Sequence, residues 1–547
     1  MPSETVVQQK PFAITLDVGS SLLNKTGTWR TQRPVYLDRL PPCNAGCPAG
    51  ENIQAWLGFA EEGDYEGAWR QIMDDNPLPA TMGRVCYHPC EGACNRVKLD
   101  DAVGINSVER FLGDQALKYD WKMAAGSSTG KKVMILGAGP AGLSAAYHLA
   151  RKGHAVTIYE SSPQAGGMIR YGIPKYRMPR EKLRAEIARI EEMGVTIELN
   201  TRIDDVMQAK EQGGFDAVFL GIGAQLPKRI DIDQEGDTPM FDAVEVLRDT
   251  EVENLTKLRG RVLVYGGGNT AMDVARTSVR LGALQTTVIV VESREDMPAH
   301  EFEVHEAIEE GADIVNLRSI REIRGNSVTL EFMVPGEGRW PQPTGQFETV
   351  EADVIVQALG QNIETDFLER IDGLEVRDGI VQVDRGMMTG CEGVFAGGDM
   401  VPSQRTVTTA IGHGKKAARN IDAFLRGERY LPAEKHEIVD FDKLNTWYYT
   451  DAPRTVRPML DVVRRQSGFA EVVGDLDENN AQYEARRCMS CGNCFECDNC
   501  YGVCPDNAVT KLGPGKRFEF KYDYCKGCAV CATECPCGAI KMVAEAI

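Results

Sequence analysis

Two cysteine runs near the C-terminus carry the most specific chemistry in this chain. Both follow the pattern C-x2-C-x2-C-x3-C-P, and their cysteines are Cys494, Cys497, Cys500 and Cys504 in one run and Cys525, Cys528, Cys531 and Cys535 in the other. Three closely spaced thiolates can hold three irons of one cubane, and the fourth cysteine of such a run ligates the neighbouring cluster. The spacing therefore predicts two 4Fe-4S clusters, with Cys535 completing the first ligand set and Cys504 completing the second.

Zinc knuckles or a disulfide knot are the alternatives for these cysteines. Zinc sites close with four ligands and do not need the x3-C-P ending of the motif. Residues 488–545 resemble the bacterial two-cluster ferredoxin. That resemblance implies an α+β ferredoxin-like domain that transfers single electrons.

Composition narrows the class of protein. The 547 residues should form about three or four domains, and a net charge of −19 argues against a nucleic-acid or anionic-membrane surface. Residues 1–10 contain no basic region followed by an apolar one, and no stretch of about eighteen apolar residues exists, so we expect no secretory signal and no membrane span. Seventeen cysteines in such a chain indicate metal ligation in a reducing cytoplasm.

A strand–loop–helix pattern predicts a first dinucleotide-binding unit. KKVMIL (131–136) has the composition of a buried strand, a glycine-rich loop and an apolar helix to about residue 152 follow, and the strand AVTIY ends at Glu160. The glycines allow close approach to a pyrophosphate, the helix N-terminus favours its charge, and the acid accepts ribose hydroxyls. The predicted contacts are Gly137, Gly139, Pro140, Ala141, Gly142 and Glu160.

The same pattern recurs in a second unit. RVLVY (261–265) precedes a glycine-rich loop and a helix to about Leu281, and TTVIVV (286–291) ends before Glu292. Alanine at the third glycine position still permits close packing of helix and strand. An unoccupied structural Rossmann unit is the alternative. The predicted contacts of the loop are Gly266, Gly268, Asn269, Thr270 and Ala271.

Two dinucleotide units in one chain suggest a flavin and a nicotinamide. The chain resembles, over about residues 40–425, the pyridine-nucleotide-dependent flavoproteins related to the small subunit of glutamate synthase. The motifs that carry this resemblance are GAGPAG (137–142), AGGMIRYGIPKYRMP (165–179), GGGNTAMD (266–273), MPA (297–299) and VFAGGDM (394–400). The resemblance implies that the first unit binds FAD and that the second, inserted into it, binds NAD(P)H.

Further FAD contacts follow from the resemblance alone. It implies that Asp399 hydrogen-bonds the ribityl chain or pyrophosphate region, that Gly167 contacts the cofactor, and that residues 407–418 form a helix beneath the flavin with Thr409 and Ala410 at its start.

Two other segments, 216–224 and 352–360, look like strands that join the two nucleotide domains. Both are β-branched runs ending in glycine, which by themselves indicate buried strands and tight turns.

Glu292 bears on the choice of nicotinamide. A 2′-phosphate requires arginine near the end of the second strand, whereas a free 2′-hydroxyl favours an acid there. Relatives that use NADPH typically carry two adjacent arginines where this chain has Val291 and Glu292. Arg294 follows two residues later and would partly offset the acid. The sequence therefore favours NAD over NADP.

Five further cysteines lie near the N-terminus: Cys43, Cys47, Cys86, Cys90 and Cys94. Their region resembles the helical iron–sulfur domain that precedes the flavin fold in the same family and holds two 4Fe-4S clusters. The stretch 52–74 predicts an amphipathic helix with Trp56, Phe59 and Trp69 in its core. The Cys-x-x-Cys with which that domain begins in relatives is absent, and LDRLPP (37–42) stands in its place.

The resemblance implies one intact N-terminal cluster. Its ligands would be Cys47, Cys86 and Cys90, with Glu109 as the fourth because related chains can use an acid there. A surface carboxylate is the alternative for Glu109.

Cys43 and Cys94 then lack two partners, and a second cysteine pair offers them. Cys488 and Cys491 lie outside the ferredoxin motifs, in an R-C-x-x-C-G stretch that resembles the one missing upstream. We predict that they complete a cluster with Cys43 and Cys94, so that the chain holds four clusters and leaves only Cys391 and Cys537 without a role. The alternative is three clusters, with Cys488 and Cys491 as unused thiols.

The predicted fold class is α/β, with two nested Rossmann-like dinucleotide-binding domains, a helical Fe-S domain before them and an α+β ferredoxin-like domain after them. The predicted bounds are 1–125 for the helical domain, 131–225 with 352–428 for the FAD-binding domain, 226–351 for the inserted NAD(P)-binding domain, 429–487 for a connecting strap and 488–547 for the ferredoxin-like domain.

These predictions combine into one function. A hydride carries two electrons, an iron–sulfur cluster accepts one, and a flavin links the two kinds of transfer. We therefore predict a cytoplasmic NAD(P)H:acceptor oxidoreductase whose chemistry takes place on FAD without a catalytic side chain. No segment remains for a substrate domain, which predicts partner subunits or a soluble ferredoxin.

The resemblance suggests three candidates for the redox enzyme to which this chain would contribute. They are the NAD(P)-reactive subunit of a 2-oxoacid oxidoreductase, the electron-input protein of dissimilatory sulfite reductase and a glutamate synthase small subunit. A non-enzymatic nucleotide-binding adaptor is the alternative.

Overall fold

The structure is a computed structural model that describes residues 25–251, 258–336 and 340–545. The predictions for residues 1–24, including the absence of a signal, and for residues 546–547 lie outside these ranges. None of the helices within them combines the length and the apolar composition that a bilayer crossing needs.

The first part of the chain is a helical domain, by which we mean residues 42–119. Its α-helices are Pro42–Gly46, Ile53–Glu62, Tyr65–Met73, Pro79–Val85, Pro89–Gly92 and Ile105–Tyr119, and it contains the 3-10 helix Asn95–Lys98. Another 3-10 helix, Thr26–Trp29, precedes this domain. The side chains of Trp56 and Trp69 are fully buried, as the sequence predicted.

The amphipathic stretch 52–74 forms two helices because the chain is interrupted at Gly63 and Asp64. Gly63 adopts a left-handed conformation (φ +82°), and the Asp64 carboxylate caps the next helix by accepting from Gly67 N–H over 2.9 Å. The prediction that Phe59 is a core residue is wrong, because its side chain is 39% exposed. The buried face of this helix has the i, i+3, i+4, i+7 spacing, from which Phe59 is rotated away; it consists of Ile53, Trp56, Leu57 and Ala60.

A five-stranded parallel sheet carries the first glycine-rich loop. Its strands in spatial order are Val394–Ala396, Ala217–Leu220, Lys132–Leu136, Ala155–Tyr159 and Thr196–Glu198. The helices around it are Pro140–Arg151, Met168–Tyr171, Arg180–Glu192, Val206–Gly213 and Val407–Leu425, with 3-10 helices Asp366–Arg370 and Gly398–Met400. A two-stranded ribbon, Val376–Arg377 with Ile380–Val381, lies outside the sheet.

A second five-stranded parallel sheet carries the other glycine-rich loop. Its strands in spatial order are Ala312–Val315, Gln285–Ile289, Arg261–Tyr265, Val354–Gln357 and Met240–Asp242. Its helices are Ala243–Glu251, Asn269–Arg280 and Glu301–Glu309. A four-stranded sheet packs beside it, in the order Gln342–Glu351, Ser327–Val334, Arg318–Arg324 and Asp233–Glu235. Both glycine-rich loops therefore follow the central strand of a parallel sheet, where dinucleotides bind.

The chain crosses between the two sheets through a short ribbon. Of the two segments predicted as crossing strands, one contributes Ala217–Leu220 to the first sheet and the other contributes Val354–Gln357 to the second. Immediately beyond them, Leu226–Pro227 pairs antiparallel with Gln361–Asn362. The segment that leaves the first sheet and the segment that returns from the second sheet are therefore hydrogen-bonded to each other where the chain crosses.

The remaining chain forms short elements around the last cysteines. Helices span Val462–Ser467, Glu478–Arg486, Asn499–Val503 and Val530–Thr533, 3-10 helices span Phe441–Lys443 and Thr446–Tyr448, and Val509–Lys511 forms a hairpin with Phe518–Phe520. The last strand, Ile540–Ala544, pairs antiparallel with Gln32–Tyr36 from the start of the chain. This pairing, which the sequence did not predict, joins a segment that precedes the helical domain to the region of the last cysteines.

Candidate flavin, nicotinamide and iron–sulfur sites

One cavity opens where the carboxyl ends of both parallel sheets meet. Eight of the ten predicted FAD contacts line it: Gly137, Gly139, Pro140, Ala141, Glu160, Gly167, Asp399 and Ala410. An adjoining cavity shares Gly137 and Glu160 and is also lined by Tyr159, Arg202 and Phe367, which the sequence did not single out.

Two glycines of the first loop are required by close backbone approaches. Gly137 has a φ of +96°, and a Cβ there would lie 2.5 Å from the carbonyl oxygen of Gly221. A Cβ on Gly142 would lie 2.0 Å from the Gly137 oxygen. Gly142 does not line the cavity; it lets the following helix pack against the loop.

Glu160 is held rigidly at the end of its strand. Its carboxylate accepts from Ala138 N–H and from Ser162 N–H, each over 2.8 Å, and the residue is buried. A carboxylate oxygen retains further lone pairs after one such bond. Glu160 is therefore preorganised to accept hydroxyl donors from a ligand in the cavity.

Asp399 and the helix Val407–Leu425 close the cavity on another side. Burial raises the pKa of Asp399, and the nearby Arg405 charge opposes that rise. The Thr406 hydroxyl caps the helix by accepting from Thr409 N–H over 3.1 Å. Thr409 does not line the cavity, and its hydroxyl lies 2.9 Å from that of Thr406. The positive end of the helix dipole faces the cavity beside Ala410.

The second glycine-rich loop faces the same cavity. Asn269 and Thr270 line it together with the residues of the first loop. Gly268 borders open space, since an added Cβ would meet no atom within 4 Å, whereas a Cβ on Gly266 would lie 2.3 Å from the Ala358 oxygen. Ala271 is buried behind the loop. The two predicted nucleotide sites therefore meet in one space.

Glu292 and Arg294 lie at the edge of the second loop but are arranged differently. The Glu292 carboxylate points over the loop, with Oε2 3.2 Å from where a Cβ on Gly267 would stand. The guanidinium of Arg294 is instead engaged with Glu301, at 2.7 Å between Nη2 and Oε1. The acid thus faces the loop, while the arginine is held by another carboxylate.

Four groups of ligand candidates converge in the fold, and we name them sets A to D. Set A is Cys47, Cys86, Cys90 and Glu109; set B is Cys43, Cys94, Cys488 and Cys491; set C is Cys494, Cys497, Cys500 and Cys535; set D is Cys504, Cys525, Cys528 and Cys531. The residues of set A, of set B and of set D each line a small cavity of their own. In set C, Cys535 interacts electrostatically with each of the other three thiols.

Glu109 shares the set A cavity with a second acid that sequence reasoning missed, Glu51. Asn76 Nδ2 donates to Glu109 Oε1 over 2.8 Å and to Glu51 Oε1 over 3.0 Å. The other Glu51 oxygen accepts from Trp56 Nε1 over 3.2 Å. Among the described residues, the other Glu109 oxygen has no hydrogen-bond partner, so Glu109 is the acid better placed to bind a metal.

Set B is assembled by the helix Glu478–Arg486 packing against the helical domain. The Glu484 carboxylate accepts from Gly104 N–H over 2.7 Å, and Arg487 Nη1 donates to the Ala102 oxygen over 2.9 Å. Ala481 and Ala485 belong to the same buried cluster as the core of the helical domain. These contacts bring the late cysteines to the early ones.

The sulfur environments fit iron–sulfur clusters. All seventeen cysteines lie in the described residues, and none of them forms a disulfide. The cysteines of sets A, B and D surround cavities, and in the described ranges no three His, Cys, Asp or Glu side chains are grouped to hold a single metal ion. A cubane, in which each iron takes its own ligand, suits that spacing.

Several sulfurs also receive hydrogen bonds. Ala508 N–H donates to Cys504 Sγ over 3.2 Å, and the Tyr36 hydroxyl lies 3.2 Å from Cys500 Sγ. Such bonds tune cluster potentials.

The flavin cavity and set A are joined directly. Thr408, in the first turn of the helix that borders the flavin cavity, lines the set A cavity, and its hydroxyl donates to Cys86 Sγ over 3.1 Å. Ile105 in turn lines the cavities of both set A and set B. The predicted flavin site and two predicted clusters are therefore consecutive in space.

Comparison with known proteins identifies two matching families. Residues 131–414 match the family described as pyridine nucleotide-disulphide oxidoreductase, and residues 30–121 match the one described as dihydropyrimidine dehydrogenase domain II, 4Fe-4S cluster.

Three relatives illustrate the range of similar proteins. The NADP(+)-dependent formate dehydrogenase subunit beta of Moorella thermoacetica is 37% identical over 82% of this chain and 70% of its own length. The glutamate synthase [NADPH] small chain of Escherichia coli is 34% identical over 70% of this chain and 88% of its own. The NAD-dependent dihydropyrimidine dehydrogenase subunit PreT of E. coli is 32% identical over 71% of this chain and 91% of its own length.

Proposed function

This chain belongs to the pyridine nucleotide-disulphide oxidoreductase family, and we propose that it is the NADH-oxidising, electron-distributing subunit of a larger redox complex. One observation carries the proposal: both glycine-rich loops open on a single cavity, whose bordering helix is bonded through Thr408 to the predicted cluster ligand Cys86.

The enzyme class is established by the family. The chain is an NAD(P)H-dependent oxidoreductase that uses FAD, NAD(P) and 4Fe-4S clusters, as the sequence predicted. The resemblance to the glutamate synthase small subunit is likewise confirmed.

When bound, FAD exchanges two electrons with a nicotinamide and single electrons with iron–sulfur clusters. The residues of the chain hold and orient it. The open backbone at Gly139 and Gly268 would leave room for two pyrophosphates, and Glu160, held by Ala138 N–H, would accept ribose hydroxyls. The N-terminus of the helix Val407–Leu425 stabilises negative charge on the part of the flavin that it faces.

We assign sets A to D to four clusters in sequence. Set A receives electrons first because Cys86 touches the helix that borders the flavin cavity. Set B follows because the Ile105 side chain separates its cavity from that of set A. Set C follows because Cys494 is only three residues beyond Cys491 of set B. Set D is placed last because its ligand Cys504 comes from the cysteine run that supplies set C; Cys497 of set C and Cys528 of set D are both exposed to solvent.

We assign NADH as the preferred nucleotide. Glu292 points over the loop at which the adenosine ribose would bind, where its charge repels a 2′-phosphate and accepts a diol. Arg294, the residue that would favour NADPH, is paired with Glu301. The names of the relatives include both NAD and NADP(H). Membership of the family therefore does not determine which nucleotide a given chain uses.

Partner subunits would supply the remaining chemistry. Each of the three relatives is named as a subunit or chain of a larger enzyme. These enzymes are a formate dehydrogenase, a glutamate synthase and a dihydropyrimidine dehydrogenase. By the earlier resemblance, a 2-oxoacid oxidoreductase is our first candidate for the complex, ahead of dissimilatory sulfite reductase or a glutamate synthase. The electrons would flow to or from that partner through set D.

Anaerobic titration tests the proposal. Addition of NADH to the purified holoprotein should bleach the flavin and cluster absorbance and support reduction of a viologen or tetrazolium dye. A nucleotide-binding adaptor would bind NADH without bleaching, and that result would reject the enzymatic role. Co-purification from the native host then identifies the partner.

A further inference from the structure

A tyrosine of the helical domain reaches into the space between the two nucleotide loops. Tyr87 follows directly after Cys86 of set A, and its side chain is half-buried. It lines the same cavity as Gly139 of the flavin loop and Asn269 of the nicotinamide loop. No other aromatic residue of the helical domain lines this cavity within the described part of the chain.

The ring of Tyr87 stacks on a residue of the second nucleotide unit. The centroids of the Tyr87 and His300 rings are 3.9 Å apart, and the planes differ by 19°. His300 in turn donates its backbone N–H to Asn269 Oδ1 over 2.8 Å, at the start of the helix Asn269–Arg280. Two contacts thus connect the cluster-bearing domain to the loop that is proposed to bind the nicotinamide nucleotide.

The hydroxyl of Tyr87 faces a buried ionic group that also spans the cavity. Arg177, from the flavin side, is paired with Asp273 at 2.8 Å and with Glu303 at 2.5 Å, both on helices of the second unit. The Arg177 guanidinium also donates a hydrogen bond to the Tyr87 hydroxyl. The hydroxyl of Tyr87 therefore contacts the residue that links the flavin side of the cavity to the second nucleotide unit.

We propose that Tyr87 is a positioning residue for hydride transfer, which sets the second nucleotide unit against the flavin cavity through its stack on His300. The cluster-bearing domain then forms part of the nicotinamide site instead of serving only as an electron acceptor. This inference rests on the proposed function. Hydride transfer depends steeply on the separation and orientation of the reacting atoms, so a small rotation of the unit lowers its rate.

The test compares variants of both stacked residues in the holoprotein. In Tyr87→Leu, the limiting rate of flavin reduction at saturating NADH should fall about three- to tenfold, the size expected for loss of an aromatic pair. Tyr87→Phe, which keeps the ring, should remain within about twofold of wild type. His300→Ala should reproduce the loss, and the double variant should lose no more than either single one.

Equilibrium binding of NAD⁺, measured by calorimetry, provides a readout apart from turnover. It should change less than about twofold in these variants, because the nucleotide contacts of the second unit are intact. Iron and flavin contents should equal those of the wild type. Tyr119→Leu is the matched control, since Tyr119 is an exposed tyrosine of the same domain, and it should leave every reading unchanged.

An unchanged limiting rate in Tyr87→Leu with full iron, or additive losses in the double variant, would overturn the inference. If Tyr87→Leu loses iron, the test rests on His300→Ala alone, because His300 is outside the helical domain. An unchanged limiting rate of flavin reduction in His300→Ala would then overturn the inference. A wild-type protein that neither NADH nor NADPH reduces would overturn the proposed function and this inference together.

Discussion

The hydroxyl of Thr408 donates a hydrogen bond to Sγ of Cys86 over 3.1 Å. Thr408 belongs to the helix whose first turn borders the flavin cavity, and Cys86 belongs to the helical domain. The bond therefore connects the two redox centres that the proposed function places first and second in the electron path.

Replacing Thr408 by valine keeps the shape of the side chain and removes this bond. Hydrogen bonds to cluster sulfurs stabilise the more negative, reduced state, so the potential of the set A cluster should fall. If the bond differs in strength by about 0.5–1.4 kcal/mol between the redox states, the drop is about 20–60 mV. A redox titration followed by EPR measures it. Thr408→Ser, which keeps a hydroxyl, should stay near the wild-type potential; equal potentials in the valine variant and the wild type would contradict the prediction.

Gly412 sets the separation between the flavin-bordering helix and set A. A Cβ at this position would lie 2.2 Å from the carbonyl oxygen of Pro48, the residue after Cys47. Because backbone cannot yield easily, Gly412→Ala should cost roughly 1–3 kcal/mol of stability. It should also slow electron transfer from flavin to cluster, measured by stopped-flow absorbance.

The control for Gly412 is another helical glycine, Gly58, at which a Cβ would meet nothing within 4 Å. Gly58→Ala should leave electron transfer unchanged and raise stability slightly through helix propensity. Equal electron-transfer rates in the two alanine variants would show that the close approach at Pro48 has no bearing on transfer.

Removing the late cysteines of set B tests how that cluster is built. The Cys488→Ala/Cys491→Ala variant should lose about four of an expected sixteen irons per chain, because half of the ligands of one cubane are gone. Reduction of the flavin by NADH should survive, while transfer to an external acceptor slows. Iron analysis and dye reduction measure the two effects.

Cys391→Ala is the matched control for the iron analysis, since Cys391 lies in none of the four sets. It should retain all of its iron. A full complement of iron in the double variant would defeat the four-cluster assignment.

Glu292 should decide the nicotinamide preference. The wild type is expected to favour NADH over NADPH in kcat/KM by at least about tenfold, or near 1.4 kcal/mol. Glu292→Arg should shift the preference towards NADPH, because a cation replaces the acid that points over the loop.

Glu295→Arg makes the same charge change at an exposed position three residues away and should leave the preference unaltered. The measurement is steady-state dye reduction with each nucleotide. Wild-type protein that uses both equally would refute the role of Glu292.

The sequence by itself determined the local chemistry of this protein. Both glycine-rich loops follow strands at the predicted places, Lys132–Leu136 and Arg261–Tyr265, because the turn, strand and helix patterns are encoded within about thirty residues. The enzyme class and cofactors were predicted from the same motifs and are confirmed by the family. The pairing of Cys43 and Cys94 with Cys488 and Cys491 was inferred by counting partners, and the structure brings the four together.

Apart from the cysteine pairing of set B, only the tertiary structure decided which distant parts of the chain meet. The Thr408–Cys86 bond, the Tyr87–His300 stack and the pairing of Gln32–Tyr36 with Ile540–Ala544 each join segments far apart in sequence. Periodicity within a single segment carries no information about such contacts, since they depend on how preformed elements pack. Phe59 is a different case, because it lies off the buried face of its own helix, which consists of Ile53, Trp56, Leu57 and Ala60. Thus the ligands and loops are local properties of the sequence, whereas the path that connects them is a property of the fold.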